Sequence, residues 1–411
     1  MSQSLFINPT ALEAGLEAAF AARSTTNEHQ ATAFDRFAKL GFPNRRVEGW
    51  RWSDFNAVLR QLAPTSEPSD AGVIAPSAFA ALDPLEIQVV NGRIVLPEDK
   101  CPEGVRFGII ESVGTIPELE NHPIASLNVG MTRKAIGIEV LEGVAFERPI
   151  LIRHINTGAG ISFAQSLTRI GPNASASVIE TYEGEGTGLY SHLYHLVLRD
   201  GAKLQRYVHQ DTGADSVVHS ICAAKLEKAE FKQSSLSTGG RLARHETHAH
   251  FWVDGAAAEI NSAALIADDR HGDFTSHVIH KAADCETRQL HKGVAAGRGR
   301  TVFQGKFEVE RAAQKTDAKM AANALLLSDM AEANHKPELE IYADDVECAH
   351  GSTAGALDDD ALFYLRQRGL DEAAARSLLV EAFVGEALDN IENEGVRDVL
   401  AARVRDWLEA L

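Results

Sequence analysis

"LVLRDGAKL", residues 196–204, and "FWVDGAAAEI", residues 251–260, decide the fold. Each is an apolar stretch, an Asp-Gly-Ala turn and the start of another apolar stretch. Both copies lie in one uninterrupted series. From about residue 130 to about 355 the chain is a succession of short β-type segments, among them "PILIRHINTG", "ASASVIETYEGEG" and "TVFQGKFEVE", separated by Gly, Asp and Asn. Those residues supply the tight or left-handed backbone that ends a strand. No helical period interrupts the series for roughly two hundred residues, which excludes an alternating βαβ domain. A recurring strand–turn–strand phrase fits stacked coils, which bury their apolar faces against one another and need capped ends. The expected core is a β-helix over residues 130–355, with a β-sandwich the other arrangement the pattern allows.

Outward from that core the character changes on both sides. Residues 71–129 read as linker and first strands. "APTSEPSDAGVIAPS", residues 63–77, is a loose connection rich in Pro, Ser and Ala, and "LEIQVVNGRIVLPE" alternates Leu85, Ile87 and Val89 before Asn91-Gly92, a hairpin signature. Residues 1–70 read as a helical domain. Thr10 and Glu13 form a capping box, Phe34, Phe37 and Leu40 share one face of a second helix, and Gly41 and Pro43 end it. Trp50 and Trp52 are expected to tie these helices down. Residues 356–411 return to helices, with Asp caps and a stop at Gly369. There Leu400, Val404, Trp407, Leu408 and Leu411 form one apolar stripe, which docks on its own domain or offers a face to a partner.

Composition narrows the function. The 411 residues are 45% hydrophobic and 24% charged, as in ordinary globular proteins, and carry a formal charge of −18. That charge argues against nucleic acid and against anionic membrane surfaces, both of which need a basic footprint. No apolar run approaches the ~20 residues of a spanning helix, and the first residues lack a secretory pattern, so the cytoplasm is expected. Four cysteines, Cys101, Cys222, Cys285 and Cys348, lie far apart with no C-x-x-C, so no local zinc-ribbon or ferredoxin-type ligand set exists. Phosphate-loop, dinucleotide and G-x-S-x-G signatures are missing.

Two constellations can carry chemistry. In "ADDVECAHGSTAG", residues 343–355, a strand would place Asp344, Val346, Cys348 and His350 on one side, with Cys348 and His350 about 6–7 Å apart. A shared metal or cluster edge can bridge that gap with further ligands from elsewhere. A Cys–His nucleophile needs a base in contact and an oxyanion pocket. A buried cysteine beside a turn histidine is the structural alternative. The second constellation is "RHETHAHFWVDG", residues 244–255, where Glu246, His248 and His250 share a strand face and His245 points the other way. Two imidazoles and a carboxylate suit zinc or iron, which would make the chain a metal-dependent β-helix hydrolase or lyase.

The block from Arg300 to Leu370, with "AQKTDA", "LLLSD", "KPELEIYADDV", C-x-HG-x-T-x-G and "LFYLRQRG" in order, closely resembles the SufD branch of the SufB/SufD family of iron–sulfur cluster assembly scaffold proteins. Upstream, "GFPNRRVEGWRWSDF" is similar to that family's G-x-P-x-x-x-x-E-x-W element, and "VVNGRIV" to its first strands. The resemblance implies a right-handed parallel β-helix between helical N- and C-terminal domains, and a non-catalytic scaffold. It implies pairing with a SufB-like paralogue through the β-helix end, or with a second copy in isolation. It further implies binding of the ATP-binding-cassette ATPase SufC by the C-terminal helices, and a nascent cluster at the SufB–SufD interface. No cofactor would be bound stably by the chain alone. By motif position the family's interface histidine falls on His350 and the nearby cysteine on Cys348. SufB-like chains carry a cysteine where this one has Ala322 and Asn323 in "MAANALLLSD", and a Glu-His-Glu phrase where it has "ECAHGST", so the sulfur acceptor is expected on the partner.

Overall fold

A computed structural model describes residue 5 and residues 9–59, 74–98, 100–114 and 116–411. Most of the Pro/Ser-rich connection, and with it the expected boundary near residue 70, lies outside them. The core is a parallel β-solenoid of about eight turns. Successive strands alternate between two sheets, one of ten strands ending at Glu347–Gly355 and one of nine ending at Glu332–Ile341. Strands on consecutive coils pair in parallel and in register, as Val217–Leu226 does with Leu189–Leu198 on one side and Leu242–Phe251 on the other. The Asp-Gly-Ala phrases are corners of this winding. Gly201 and Gly255 adopt φ of 71° and 78°, the left-handed region a side chain would resist. At the N-terminal end the stack is closed by antiparallel strands, Arg93–Val95 on one sheet and Val105–Glu111 on the other. The first of these is the Asn91-Gly92 hairpin expected from the sequence.

Helices clad both outer faces. Helices α1 (Ala11–Ala21), α2 (Glu28–Leu40), α3 (Phe55–Leu59) and α4 (Pro123–Met131) cover the nine-stranded sheet. The Thr10–Glu13 capping box is present, and Phe34, Phe37, Trp50 and Phe55 pack on Leu189, Val217 and Leu242 of that sheet. Leu40 departs from the expected face: it is 48% exposed, at the last turn before the Gly41 stop. After α5 (Asp359–Gln367), helices α6 (Glu372–Gly385) and α7 (Glu394–Glu409) cover the ten-stranded sheet. Leu400 and Val404 of the C-terminal stripe are buried with Val380 and Val384 against Leu151, Ile179, Leu236 and Leu265. The stripe therefore docks on its own solenoid, except for Leu411, which is exposed. In the C-terminal helices the other large apolar side chains left outward are Phe363, Tyr364, Leu370 and Leu378, on α5, α6 and the turn between them.

The interior is not uniformly apolar. Arg206 lies wholly buried, and its Nη2 donates to both carboxylate oxygens of Glu180, also wholly buried, at 3.0 and 2.9 Å. Arg206 also donates to Gln233, and His245, Ser220 and Thr247 extend the network on neighbouring coils. Burial alone would raise the Glu180 carboxyl, but Arg206 together with His192 and His154 outweighs it and holds the group well below the usual range. Breaking one side of such a pair strands a charge. Arg206→Leu is expected to cost about 3–5 kcal/mol in urea unfolding, and Glu180→Leu added to it to recover most of the loss. Equal destabilisation by the single and double variants would show that packing volume, not charge, sets the cost.

Candidate functional site at the open end of the solenoid

The C-terminal end of the stack is built differently from the N-terminal end. Its last strands, Glu332–Ile341 and Glu347–Gly355, run for ten and nine residues and have a described neighbour on one side only. Cys348 and His350 lie on the last strand of the ten-stranded sheet, paired in register with Ala318 and Met320, which belong to the solenoid interior. The i, i+2 spacing thus aims both side chains along the inner face of the final coil, Cys348 half-buried and His350 exposed. Asp344 falls outside the strand.

His350 closes a column of in-register positions, Arg206, Gln233, Ile260, Gln289 and Met320. A surface cavity of about 420 Å³ opens beside it, lined in part by Arg288, Lys319 and Asn390, the last from the α6–α7 connection. Burial raises the Cys348 thiol above its ordinary value, with Asp317 adding to the effect, so the isolated chain holds it protonated at neutral pH. A protonated thiol with no base in contact is a poor nucleophile. A metal ion or a cationic partner group would be needed to draw out the thiolate.

The histidine-rich stretch divides as its alternation requires. His245 faces inward to Ser220, Arg206 and Gln233, whereas Glu246, His248 and His250 face outward beneath the N-terminal layer. The three outward groups do not converge on one point. His248 Nε2 lies 3.2 Å from Glu246, while His250 turns to Glu118 at 3.1 Å. Glu246 is joined instead by His219 Nε2 at 2.7 Å, His122 Nε2 at 3.2 Å and Arg244 Nε at 2.8 Å. Sequence reasoning missed His122 and His219, which come from α4's cap and an adjacent coil and carry no local spacing signal.

This cluster is filled with protons. The His122 Nδ1 accepts from the Ala125 backbone N–H as the N-cap of α4, so its proton sits on Nε2, aimed at the carboxylate. Glu246 accepts from imidazoles and a guanidinium at once, and despite burial Arg244 and then His122 hold it well below the usual carboxylate range. Trp50 lies over Arg244, with the guanidinium carbon 4.1 Å from its ring. Ser53 bonds Asp273, which Arg244 also reaches at 2.6 Å. The constellation is therefore a clamp holding the N-terminal segment to the solenoid, with no open metal position.

The chain is a parallel β-solenoid clad by helices on both faces, with a thiol and an imidazole on an end strand that is paired along one edge. The family model described as "SUF system FeS cluster assembly, SufBD core domain" matches residues 153–383, and the chain belongs to that family. It is a homologue of SufD: the iron-sulfur cluster assembly protein SufD of Escherichia coli is 28% identical over 402 residues, covering 94% of each chain. The chloroplastic protein ABCI7 of Arabidopsis thaliana is also 28% identical, over 89% of this chain and 83% of that one. An iron-sulfur cluster assembly SufBD family protein of Mycobacterium tuberculosis is 32% identical, over 64% of this chain and 68% of its own. No helix among the described residues is long and apolar enough to cross a membrane.

The clamp predicts acid lability. Burial lowers His219 to about 4, against the pull of Glu246, and lowers His250 and His271 to about 4 as well. A histidine depressed in the fold takes up its proton first in the unfolded chain, so stability is full above about pH 6.5 and falls toward pH 4. Each such group contributes up to ~1.4 kcal/mol per pH unit across that window. Thermal unfolding followed from pH 7.5 to pH 4 should show a steep loss, reduced in slope by His219→Gln. A flat profile would contradict the buried neutral imidazoles.

Proposed function

We propose that this chain is a non-catalytic scaffold subunit of the Suf iron–sulfur cluster assembly machinery. It pairs through the open end of its solenoid with a SufB-like paralogue and binds a SufC-like ATPase through its C-terminal helices. The observation that carries this reading is the pair of long edge strands, Glu332–Ile341 and Glu347–Gly355, with Met330, Ile341 and Tyr342 exposed beside them. Edge strands of that length with apolar neighbours invite pairing with another chain. Met330 and Tyr342 are 66% and 59% exposed.

Cys348 and His350 then form half of a ligand set, and the partner supplies the rest of the site for the nascent cluster, which is cargo here. His350 is the principal ligand and Cys348 the second. The exposed Phe363, Tyr364, Leu370 and Leu378 give the ATPase an apolar face, while α6 and α7 anchor that face to the ten-stranded sheet. The α6–α7 connection reaches the strand region of His350: Asn390 bonds Glu259 and lines the cavity there. Movement of the ATPase would reach the cluster site by this route.

In a complex reconstituted with both partners, His350→Ala should leave assembly intact and slow cluster formation by about tenfold or more. A wild-type rate would remove the ligand role. Phe363→Glu with Leu378→Glu should abolish co-purification of the ATPase at unchanged thermal stability, because both side chains are solvent-facing. Retained ATPase binding would move that interface elsewhere. Deleting the helices outright is the poorer test, since α6 and α7 cover the sheet core.

A further inference from the structure

Three groups of imidazoles among the described residues differ in what already occupies the groups around them. In the Glu246 clamp every imidazole facing the carboxylate is bonded to it, and the His122 tautomer points a proton inward. Deep in the solenoid, His154, Glu180 and His192 bring donor atoms within 4.8 Å of one another. There both Glu180 oxygens accept from Arg206 Nη2, and His192 bonds Tyr182 and Ser166 at 2.7 and 2.9 Å. His154 Nε2 and His219 Nδ1 are buried and unpartnered, but the carboxylate in each group is already taken by a guanidinium, Arg206 at Glu180 and Arg244 at Glu246.

The third cluster, just inside the open end, has an unpartnered nitrogen on each of two adjacent imidazoles. His291 is wholly buried, and its Nδ1 lies 2.9 Å from the Ser262 hydroxyl while its Nε2 has no partner. The ring of His335, on the last strand of the nine-stranded sheet, stands perpendicular to it with centroids 5.9 Å apart, and its Nε2 is also buried and unpartnered. The hydroxyl of Thr301, one inward position from Phe303 on the strand between, is a third buried polar atom without a partner. Small residues surround these groups: Gly293, which Thr301 abuts so closely that a Cβ would meet it at 2.8 Å, and Ala322, the register partner of His291. Burial holds both imidazoles below their ordinary value, and hence neutral, the form a metal ion requires.

We propose that the mouth of the solenoid holds a divalent first-row transition-metal ion on His291 Nε2 and His335 Nε2, with water completing its coordination. The tautomer fits, because His291 Nδ1–H can donate to Ser262 and leave the Nε2 lone pair free, the arrangement of metal-ligating histidines. The spacing fits too. Two imidazoles at about 2.0–2.1 Å from one tetrahedral ion have ring centroids roughly 5–5.5 Å apart, against 5.9 Å between these two rings. Imidazole donors select iron(II), cobalt(II) or zinc over magnesium and calcium. An ion enters from the open end, where His335 is only half-buried. This site is separate from Cys348 and His350 and does not depend on their role toward the cluster.

The test is an anaerobic titration of the full chain with cobalt(II), followed by its absorption bands and by equilibrium dialysis. One equivalent is expected to bind the wild-type chain, with affinity falling at least tenfold in His335→Ala and in His291→Ala, and unchanged in the Cys348→Ala, His350→Ala double variant. His335 is partly exposed, so its variant keeps the fold even if the wholly buried His291 does not tolerate alanine. Absence of stoichiometric binding, or full affinity in His335→Ala, overturns the proposal. Loss of binding in the Cys348, His350 double variant overturns it as well, and places the ion on the end strand instead.

Discussion

A parallel strand satisfies its backbone only when it has a neighbour on each side, and that constraint organises this molecule. Coil upon coil, each strand is paired by the one before and the one after, in register, across two sheets. The stack must end somewhere. At the N-terminal end it reverses direction, and short antiparallel strands close it. At the C-terminal end it stops at full strand length, and the row of backbone groups that would have met the next coil faces outward. The outward apolar groups, the thiol and the imidazole gather at that end because the winding terminates there.

The same winding explains why similar residues behave differently along the interior. In-register stacking sets His192, Ser220, His245, Phe274, Phe303 and His335 in one column of the nine-stranded sheet. In mid-stack the polar members meet partners across the interior, Arg206, Gln233 and Gln210 among them. Beyond the aromatic layer of Phe274 and Phe303 those partners run out. His291 and His335 keep a free nitrogen, and His350 reaches the surface. Unpartnered imidazole nitrogens occur in mid-stack as well, on His154 and His219, but there the neighbouring carboxylates are already held by Arg206 and Arg244.

Much of this was legible in the chain. The Asp-Gly-Ala corners at Gly201 and Gly255, the Thr10 cap and the Asn91-Gly92 hairpin are local: a backbone preference at one position, visible in one residue type. The C-x-H pair on an end strand was readable because alternation alone fixes which side chains share a face. What escaped was set by contacts between distant coils. His122 and His219 join Glu246 from positions 124 and 27 residues away, and no spacing announces them. Leu40 belonged to the right period but fell at the last turn of α2, where the chain leaves the core. The C-terminal stripe was equally open to two uses, and only packing against Leu151 and Leu236 decided between them.

The most direct test of the scaffold reading is to purify the tagged chain anaerobically from its own cells after chemical crosslinking and to map the links. Lys319 and Lys336 mark the last coils, and Arg368 and Arg376 the α5–α6 hairpin. The reading predicts links from Lys319 and Lys336 to a β-helix paralogue, and proximity of the hairpin to an ATP-binding-cassette protein in the same particle. A chain recovered alone, or a paralogue linked only to the clad faces with the end strands untouched, would contradict it.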